Sequence, residues 1–355
     1  MKLEGREQII EYLTSVTPYS AEELSQYSTI GHGDVHINMR RGNDEVLHAT
    51  LPLILSTESE IMIANRWIYP SKGRQIKALY DSLPVSHGIR TPSVTAEGDQ
   101  VYQGIPVSYW AETYLHGQTL TEASFDGLGY GTYSQLTLWL AEFHHGHENT
   151  TPLREYFATR FHHLKEFFSS LEGDTHIDAA DLQRIEEIIA YGESILNIAV
   201  NDTEVASTIH GDLRHQNLLL DNGSIGIIDF EQGINGGDWY ADIEKLLMLS
   251  SNQLPDPTRP DRYRPPLSPE QKLALVDAYI SAREALGWAS ADFARTLLHS
   301  PNLLQARINI FNIDNTLSSF VFGLIRGRAS DESFNDTVGE SIRSEVPRLQ
   351  QQVRR

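Results

Sequence analysis

The sequence predicts an α+β protein of two lobes, a small β-rich N-terminal one and a larger, mainly helical C-terminal one. The chain has 355 residues, more than the roughly 250 to 300 at which single hydrophobic cores tend to divide. Strand-like runs crowd its first third, at Gln26 to Ile30, Asp34 to Arg40, Ile61 to Arg66 and Pro106 to Tyr114. Each is rich in apolar or β-branched residues and ends near a turn former. Beyond Tyr114 apolar residues recur at helical spacing instead.

In chain order, the first element of note after the opening strands is Gly31-His32-Gly33-Asp34. Its glycines would let the backbone approach a phosphate closely, and they equally suit a plain hairpin turn. A helix is expected from about Lys72 to Leu83, because Ile76, Leu79, Tyr80 and Leu83 share a face. On it, Lys72 and Lys77 read as a solvated face. Later helices are marked by Leu136, Leu140 and Phe143, by Leu153, Tyr156, Phe157 and Leu164, and by Leu182, Ile185, Ile189 and Leu196.

Residues 252 to 267 carry five prolines, which exclude a regular helix. The next helix should start cleanly, with Ser268 as N-cap, Pro269 in the first turn and Gln271 completing a capping box. Helical spacing then dominates to about Gly327, and the polar end from Gln350 to Arg355 reads as loosely held.

Composition removes several function classes. The chain has no cysteine, so disulfides, thiolate metal sites and cysteine nucleophiles are excluded. A formal net charge of -20 argues against a general nucleic-acid binder, and it suits a cationic small molecule or simply solubility. No run approaches the roughly 18 apolar residues of a membrane span. The N-terminus, with Lys2, Glu4, Arg6 and Glu7, lacks the apolar centre of a secretory signal. A cytoplasmic protein without a membrane partner is expected, and no oligomeric state is assigned. His144, His145, His147, His162 and His163 lack a recognised zinc-ligand spacing.

The chemistry is concentrated in His210-Gly211-Asp212-Leu213-Arg214-His215-Gln216-Asn217 and Ile228-Asp229-Phe230-Glu231. Asp212 can orient an attacking hydroxyl and accept its proton, while Asn217 and Asp229 offer hard oxygen ligands to magnesium beside a nucleotide's phosphates. Leu218 to Leu220 and Ile225 to Ile228 read as strands about an Asn222-Gly223 turn. Such a hairpin would bring Asn217 and Asp229 together.

These two motifs resemble those of the aminoglycoside phosphotransferase and choline kinase-like family, small-molecule relatives of the protein kinases. The likeness continues through Gly237-Asp238-Trp239-Tyr240-Ala241-Asp242-Ile243. It is specific over about residues 207 to 243 and coarse elsewhere. Gly211 and Glu231 stand where protein kinases carry Arg and Gly, which favours a small-molecule acceptor.

The resemblance implies a two-lobed protein-kinase-like fold, with residues 1-115 covering the nucleotide and 116-355 forming the catalytic and acceptor-binding lobe. It implies Mg2+ and a nucleoside triphosphate, ATP or GTP, as phosphoryl donor. It also implies an interlobe hinge at Glu112, Thr113, Tyr114 and Leu115, whose backbone would pair with the base, and an acceptor site built from C-terminal helices. There Asp314 is a candidate, with a surface carboxylate as the plainer assumption. An antibiotic, an amino alcohol and a sugar all fit as the hydroxyl acceptor.

One departure stands out. The family's phosphate-binding lysine lies on the third strand, and Ile61 to Trp67, read as that strand, has none. Arg66 is the candidate substitute, although a forked guanidinium does not simply replace a point ammonium. A catalytically impaired nucleotide-binding or regulatory protein, and nucleotidyl transfer on the same fold, are the alternatives.

Overall fold

A computed structural model describes residues 5–32, 36–42, 44–51, 72–120, 130–172, 177–230, 236–249, 267–330 and 332–353. The N-terminal lobe is built on a five-stranded antiparallel sheet. Its strands are β1 (Ser28–His32), β2 (His36–Arg41), β3 (Glu45–Thr50), β5 (Val94–Tyr102) and β6 (Ile105–Thr113), in the order β1-β2-β3-β6-β5. Side chains alternate across a strand, and the two faces have different partners. Ile37, Met39, Leu47, Ala49, Val107, Tyr109 and Ala111 join one buried cluster with Ile9, Tyr12, Leu13 and Val16 of helix α1 (Arg6–Val16). Trp110 points the other way, into a cluster with Ile76, Leu79, Tyr80 and Leu83. The first three of these lie on helix α3 (Lys72–Ser82), Leu83 directly after it; α2 is the short helix Ala21–Ser25.

The strand third in order is Glu45–Thr50, which pairs with β2 and β6, and the predicted strand Ile61 to Trp67, Arg66 included, lies outside the described residues. Glu45–Thr50 is buried at every position but His48, so it lacks the alternation that announces a strand. Val94–Tyr102 was equally hidden: it is half-exposed along its length and carries Glu97, Gly98, Asp99 and Gln100. Lys72, expected on a solvated face, is instead 1% exposed.

A second sheet joins the lobes. β4 (Ile89–Arg90), β11 (Ser224–Ile227), β10 (Leu218–Asp221) and β7 (Gln118–Thr119) lie side by side in that order. The chain leaving the first sheet is therefore hydrogen-bonded to the hairpin between Asn217 and Asp229. Gly117 makes the approach possible: its φ is 147°, and a Cβ there would sit 3.0 Å from Leu219 Cβ and 3.1 Å from the Leu220 carbonyl oxygen.

The remainder is helical, apart from β8 (Glu148–Pro152) and β9 (Val205–Ser207), which pair with each other. Helix α4 (Tyr130–Gly146) and helix α8 (Pro269–Ala285) enclose one core with Leu136, Trp139, Leu140, Phe143, Tyr279 and Ile280. α8 begins with the predicted capping box, Ser268 Oγ accepting from the Gln271 amide. Helices α5 (Leu153–Ser169), α6 (Ala179–Ala199), α10 (Pro301–Ser330) and α11 (Glu332–Val353) enclose a second core. Its side chains, such as Phe161, Leu164 and Ile313, each contribute about 1.5 to 3 kcal/mol through burial. α11 runs to Val353 with Leu349 and Val353 buried, so the polar C-terminal end is held through Val353 and not loose as expected. Gln351 is exposed beside this apolar stripe, and Gln350 Nε2 donates to Glu187 Oε2 of α6 at 2.9 Å.

Candidate active site

The predicted hairpin forms as expected. Leu218 pairs with Ile227 and Asp221 with Ser224, and the two residues between them, Asn222 and Gly223, both have positive φ (50° and 83°), the condition for a tight two-residue turn. Asn217 and Asp229 thereby flank the open end of the ladder, and the Ile228 amide donates to the Asn217 carbonyl at 3.1 Å. Asp229 has φ 67°, a left-handed conformation that costs a non-glycine residue energy and is characteristic of functional positions.

Asp212 sits opposite, held by Asn217, whose Nδ2 donates to the Asp212 carbonyl (2.9 Å) and carboxylate Oδ2 (3.1 Å). With Nδ2 so committed, Asn217 Oδ1 is its remaining metal-binding atom. Oxygen donors on Asn217 and Asp229 fit a small hard cation such as magnesium. Among the described residues no cluster of three or more metal-binding side chains occurs, so phosphate and water oxygens would complete any shell.

Two cations flank Asp212. Arg214 Nε lies 2.9 Å from Oδ2 and Lys245 Nζ 4.0 Å from Oδ1. Lys245, on helix α7 (Trp239–Leu249), also donates to the Gly211 carbonyl. Neither cation was singled out from sequence. Lys245 stands apart from any motif, whereas Arg214 lies inside the catalytic loop and could have been noticed.

The loop is fixed from behind. Asp242 on α7 accepts from the His210 amide (2.6 Å) and the Gly211 amide (2.9 Å), and from His144 Nε2 (3.1 Å). The Tyr279 hydroxyl meets His144 Nδ1 at 2.8 Å. His144 is wholly buried and its pKa is lowered, chiefly by burial, so the ring is neutral: Nε2 donates to Asp242 and Nδ1 accepts from Tyr279. His210 is likewise lowered by burial. Its Nε2 donates to the Ile228 carbonyl (2.9 Å) and its Nδ1 accepts the Asp212 amide (3.2 Å), a tautomer that a neutral ring alone supplies. Burial opposes ionisation of Asp242, but the hydrogen bonds from His144 and the Gly211 amide win and hold its pKa below the ordinary value. These histidines are structural braces. His147 bonds Phe143 and Ser82, and His162 and His163 pair with Glu166.

At the predicted hinge, Glu112 and Thr113 end β6, and Glu112 Oε1 lies 3.4 Å from His48 Nε2. The Thr113 amide donates to Ser93 O (2.9 Å) and the Tyr114 amide to Asp44 O (3.1 Å), so both are engaged. Leu115 packs toward Gly226 of the hairpin between Asn217 and Asp229. Beside the loop that carries Asp212 a cleft is lined by Tyr156, Gly211, Lys245, Phe311, Asp314 and Asn315. Asp314 is not a surface carboxylate; it is 5% exposed and accepts from Arg160 Nε at 3.1 Å. Glu231 and residues 251–266 lie outside the described residues.

A sequence profile of the phosphotransferase enzyme family matches residues 74–293. The chain belongs to that family. No curated protein matches it, but solved structures share the family's two-lobed kinase-like fold. Amicoumacin kinase, determined with AMP-PNP, Ca2+ and amicoumacin, is 14% identical, with a TM-score of 0.56, covering 99% of this chain and 93% of that one. The GDP and kanamycin complex of APH(2")-IIia is 15% identical, with a TM-score of 0.51, covering 96% of this chain and 99% of that one. APH(4)-Ia with ADP and hygromycin B, also at TM-score 0.51 and 14% identity, covers 95% and 96%. At these identities the likeness establishes the fold of this phosphotransferase family member. No described helix is long and apolar enough to cross a membrane.

Proposed function

We propose that this protein transfers the γ-phosphoryl group of ATP or GTP to a hydroxyl group of a small molecule, with magnesium held by Asn217 and Asp229. The observation that carries the reading is the contact of Asn217 Nδ2 with Asp212 Oδ2 at 3.1 Å, which ties the candidate base to a candidate metal ligand. Asp212 orients the attacking hydroxyl and takes its proton as the bond to phosphorus forms. Bound magnesium supplies neutralisation of phosphate charge. Arg214 and Lys245 make the surroundings of Asp212 favourable to a polyanion.

The nucleotide base is seated at Glu112 to Leu115, on a lobe boundary at 115/116. Because the Thr113 and Tyr114 amides are engaged, the base edge is met by Leu115 and by main-chain carbonyls. The acceptor enters from the cleft between Tyr156, Lys245 and Phe311. An aromatic wall and mixed charge fit a hydroxylated ring compound, whether antibiotic, amino alcohol or sugar.

A screen of hydroxylated small molecules with ATP and GTP, read by product mass, tests this. A product heavier by one phosphoryl group is expected; a nucleotidylated product, or none, would overturn the reading. The lack of lysine on Glu45–Thr50 favours a second reading, an impaired kinase that binds nucleotide and regulates. Nucleotide binding without turnover in the same screen would select it.

A further inference from the structure

We infer that Lys245 is a second catalytic residue, which donates to the acceptor's hydroxyl oxygen while Asp212 takes that hydroxyl's proton. The inference rests on the kinase reading above. The two oxygens of the Asp212 carboxylate are engaged differently. Oδ2 takes Asn217 Nδ2 at 3.1 Å and Arg214 Nε at 2.9 Å. Oδ1 takes no hydrogen bond from a described residue and faces Lys245 Nζ at 4.0 Å, too far for a direct hydrogen bond. A hydroxyl oxygen about 2.7 Å from Oδ1 and about 2.9 Å from Nζ fits that gap, with an angle of about 90° between the two contacts. Its proton then points at Oδ1, one lone pair accepts from Nζ, and the other is left for phosphorus.

The place is open to an acceptor. The side chains of Asp212 and Lys245 are 14% and 19% exposed, and Lys245 lines the cleft with Gly211, Tyr156, Phe311 and Asn315. Helix α7 sets its position. Asp242 and Lys245 are three residues apart and share a helix face; Asp242 accepts the Gly211 amide at 2.9 Å, and Lys245 donates to the Gly211 carbonyl. One helix thus grips both polar groups of the residue before Asp212. Lys245 has further interactions of its own, and the contact with substrate does not need it to be free. An ammonium group carries three donors, and one already held in place loses little freedom when substrate binds. In the transfer, the hydroxyl oxygen bonds to the γ-phosphorus as its bond to hydrogen breaks. The proton passes to Asp212 Oδ1, and the nucleoside diphosphate leaves with the bridging oxygen and its electron pair. Lys245 keeps its protons and stabilises the negative charge that grows on the attacking oxygen.

Turnover of ATP and GTP with magnesium tests the assignment in wild type, Lys245→Gln, Lys245→Met and Lys245→Arg. Water takes the acceptor's place in one series, and the compounds that the screen finds phosphorylated serve in another. Calorimetry gives triphosphate affinity and urea unfolding gives stability. Glutamine keeps a donor for the Gly211 carbonyl but has no charge, so Lys245→Gln should hold the wild-type urea midpoint. Its kcat, and that of Lys245→Met, should fall about 100-fold, with triphosphate Kd within about threefold of wild type. Lys245→Arg should recover at least about tenfold of that loss. A Lys245→Gln variant with wild-type kcat, or one whose kcat falls only together with its urea midpoint, would make Lys245 a clamp on the loop. Weaker triphosphate binding at unchanged kcat would make it a phosphate ligand. Either overturns the inference while the kinase reading stands. A wild type that turns over no triphosphate with water or with any compound of the screen would overturn both.

Discussion

The carboxylate of Asp242 accepts the amide protons of His210 and Gly211, at 2.6 and 2.9 Å, and so fixes the loop that carries Asp212 to a helix about thirty residues later in the chain. Gly211 adopts φ 78°, which lets the two amides converge on one carboxylate. Asp242→Ala would leave both amides and His144 Nε2 without their acceptor, at a position where the Asp242 and His144 side chains are wholly buried. A loss of about 3 kcal/mol or more is expected in urea denaturation, together with reduced turnover. Asp242→Asn, which keeps one acceptor oxygen, should lose less. An unchanged unfolding midpoint in Asp242→Ala would remove the brace from the account.

The same residues set a pH dependence of stability. His144 and His210 have folded-state pKa values below the ordinary 6.5, mainly because burial disfavours the charged ring. The unfolded chain therefore binds more protons once the pH falls below about 6.5, and stability should be full above that pH and decline as acid is added. Asp242 is depressed below its ordinary 3.8, so its contribution is present above that value and is lost only at lower pH. Unfolding free energies measured from pH 7.5 to pH 5 should fall, and His144→Gln should flatten the slope. A profile that rises toward acid would contradict the neutral assignment.

Asp212 and Asp229 should separate in kinetics. Asp212→Asn preserves shape and the contact with Asn217 but cannot accept the hydroxyl's proton, so kcat should fall by about 100- to 10,000-fold with nucleotide affinity nearly intact. Asp229→Ala should weaken magnesium-nucleotide binding as well as turnover. Isothermal titration with and without magnesium distinguishes them: a metal dependence that survives Asp229→Ala would take that residue out of the site.

The hairpin between Asn217 and Asp229 was legible because its signals are local: Asn222-Gly223 specifies the turn, the flanking apolar runs specify the strands, and spacing alone then brings Asn217 opposite Asp229. The helix carrying Ile76, Leu79 and Tyr80 was legible for the same reason. What stayed hidden depends on contacts across the fold. Glu45–Thr50 is buried on both faces and looks like neither an alternating strand nor a helix, so the third strand was misplaced. Lys72 and Asp314 look like surface charges until Trp110 and Arg160 are placed beside them. No periodicity reports that Lys245 reaches Asp212.

Arg307 carries a further consequence. It is 0% exposed, and it donates to Glu204 Oε1 (2.9 Å), Asp238 Oδ1 (2.8 Å) and the Ala199 carbonyl (2.8 Å). Trp239 Nε1 shares Glu204 Oε1 at 3.0 Å, so one guanidinium ties the end of α6 to the segment that leads into α7 and Asp242. Arg307→Met would strand two buried carboxylates, and a loss of about 3 to 5 kcal/mol is expected from breaking such a network on one side. Removing all three charges together, as Arg307→Met with Glu204→Gln and Asp238→Asn, should recover much of that loss, because desolvation is then no longer imposed on unpaired ions. Urea midpoints of the single and triple variants decide it. A triple variant less stable than Arg307→Met would mean that the carboxylates stabilise this segment through contacts other than the arginine.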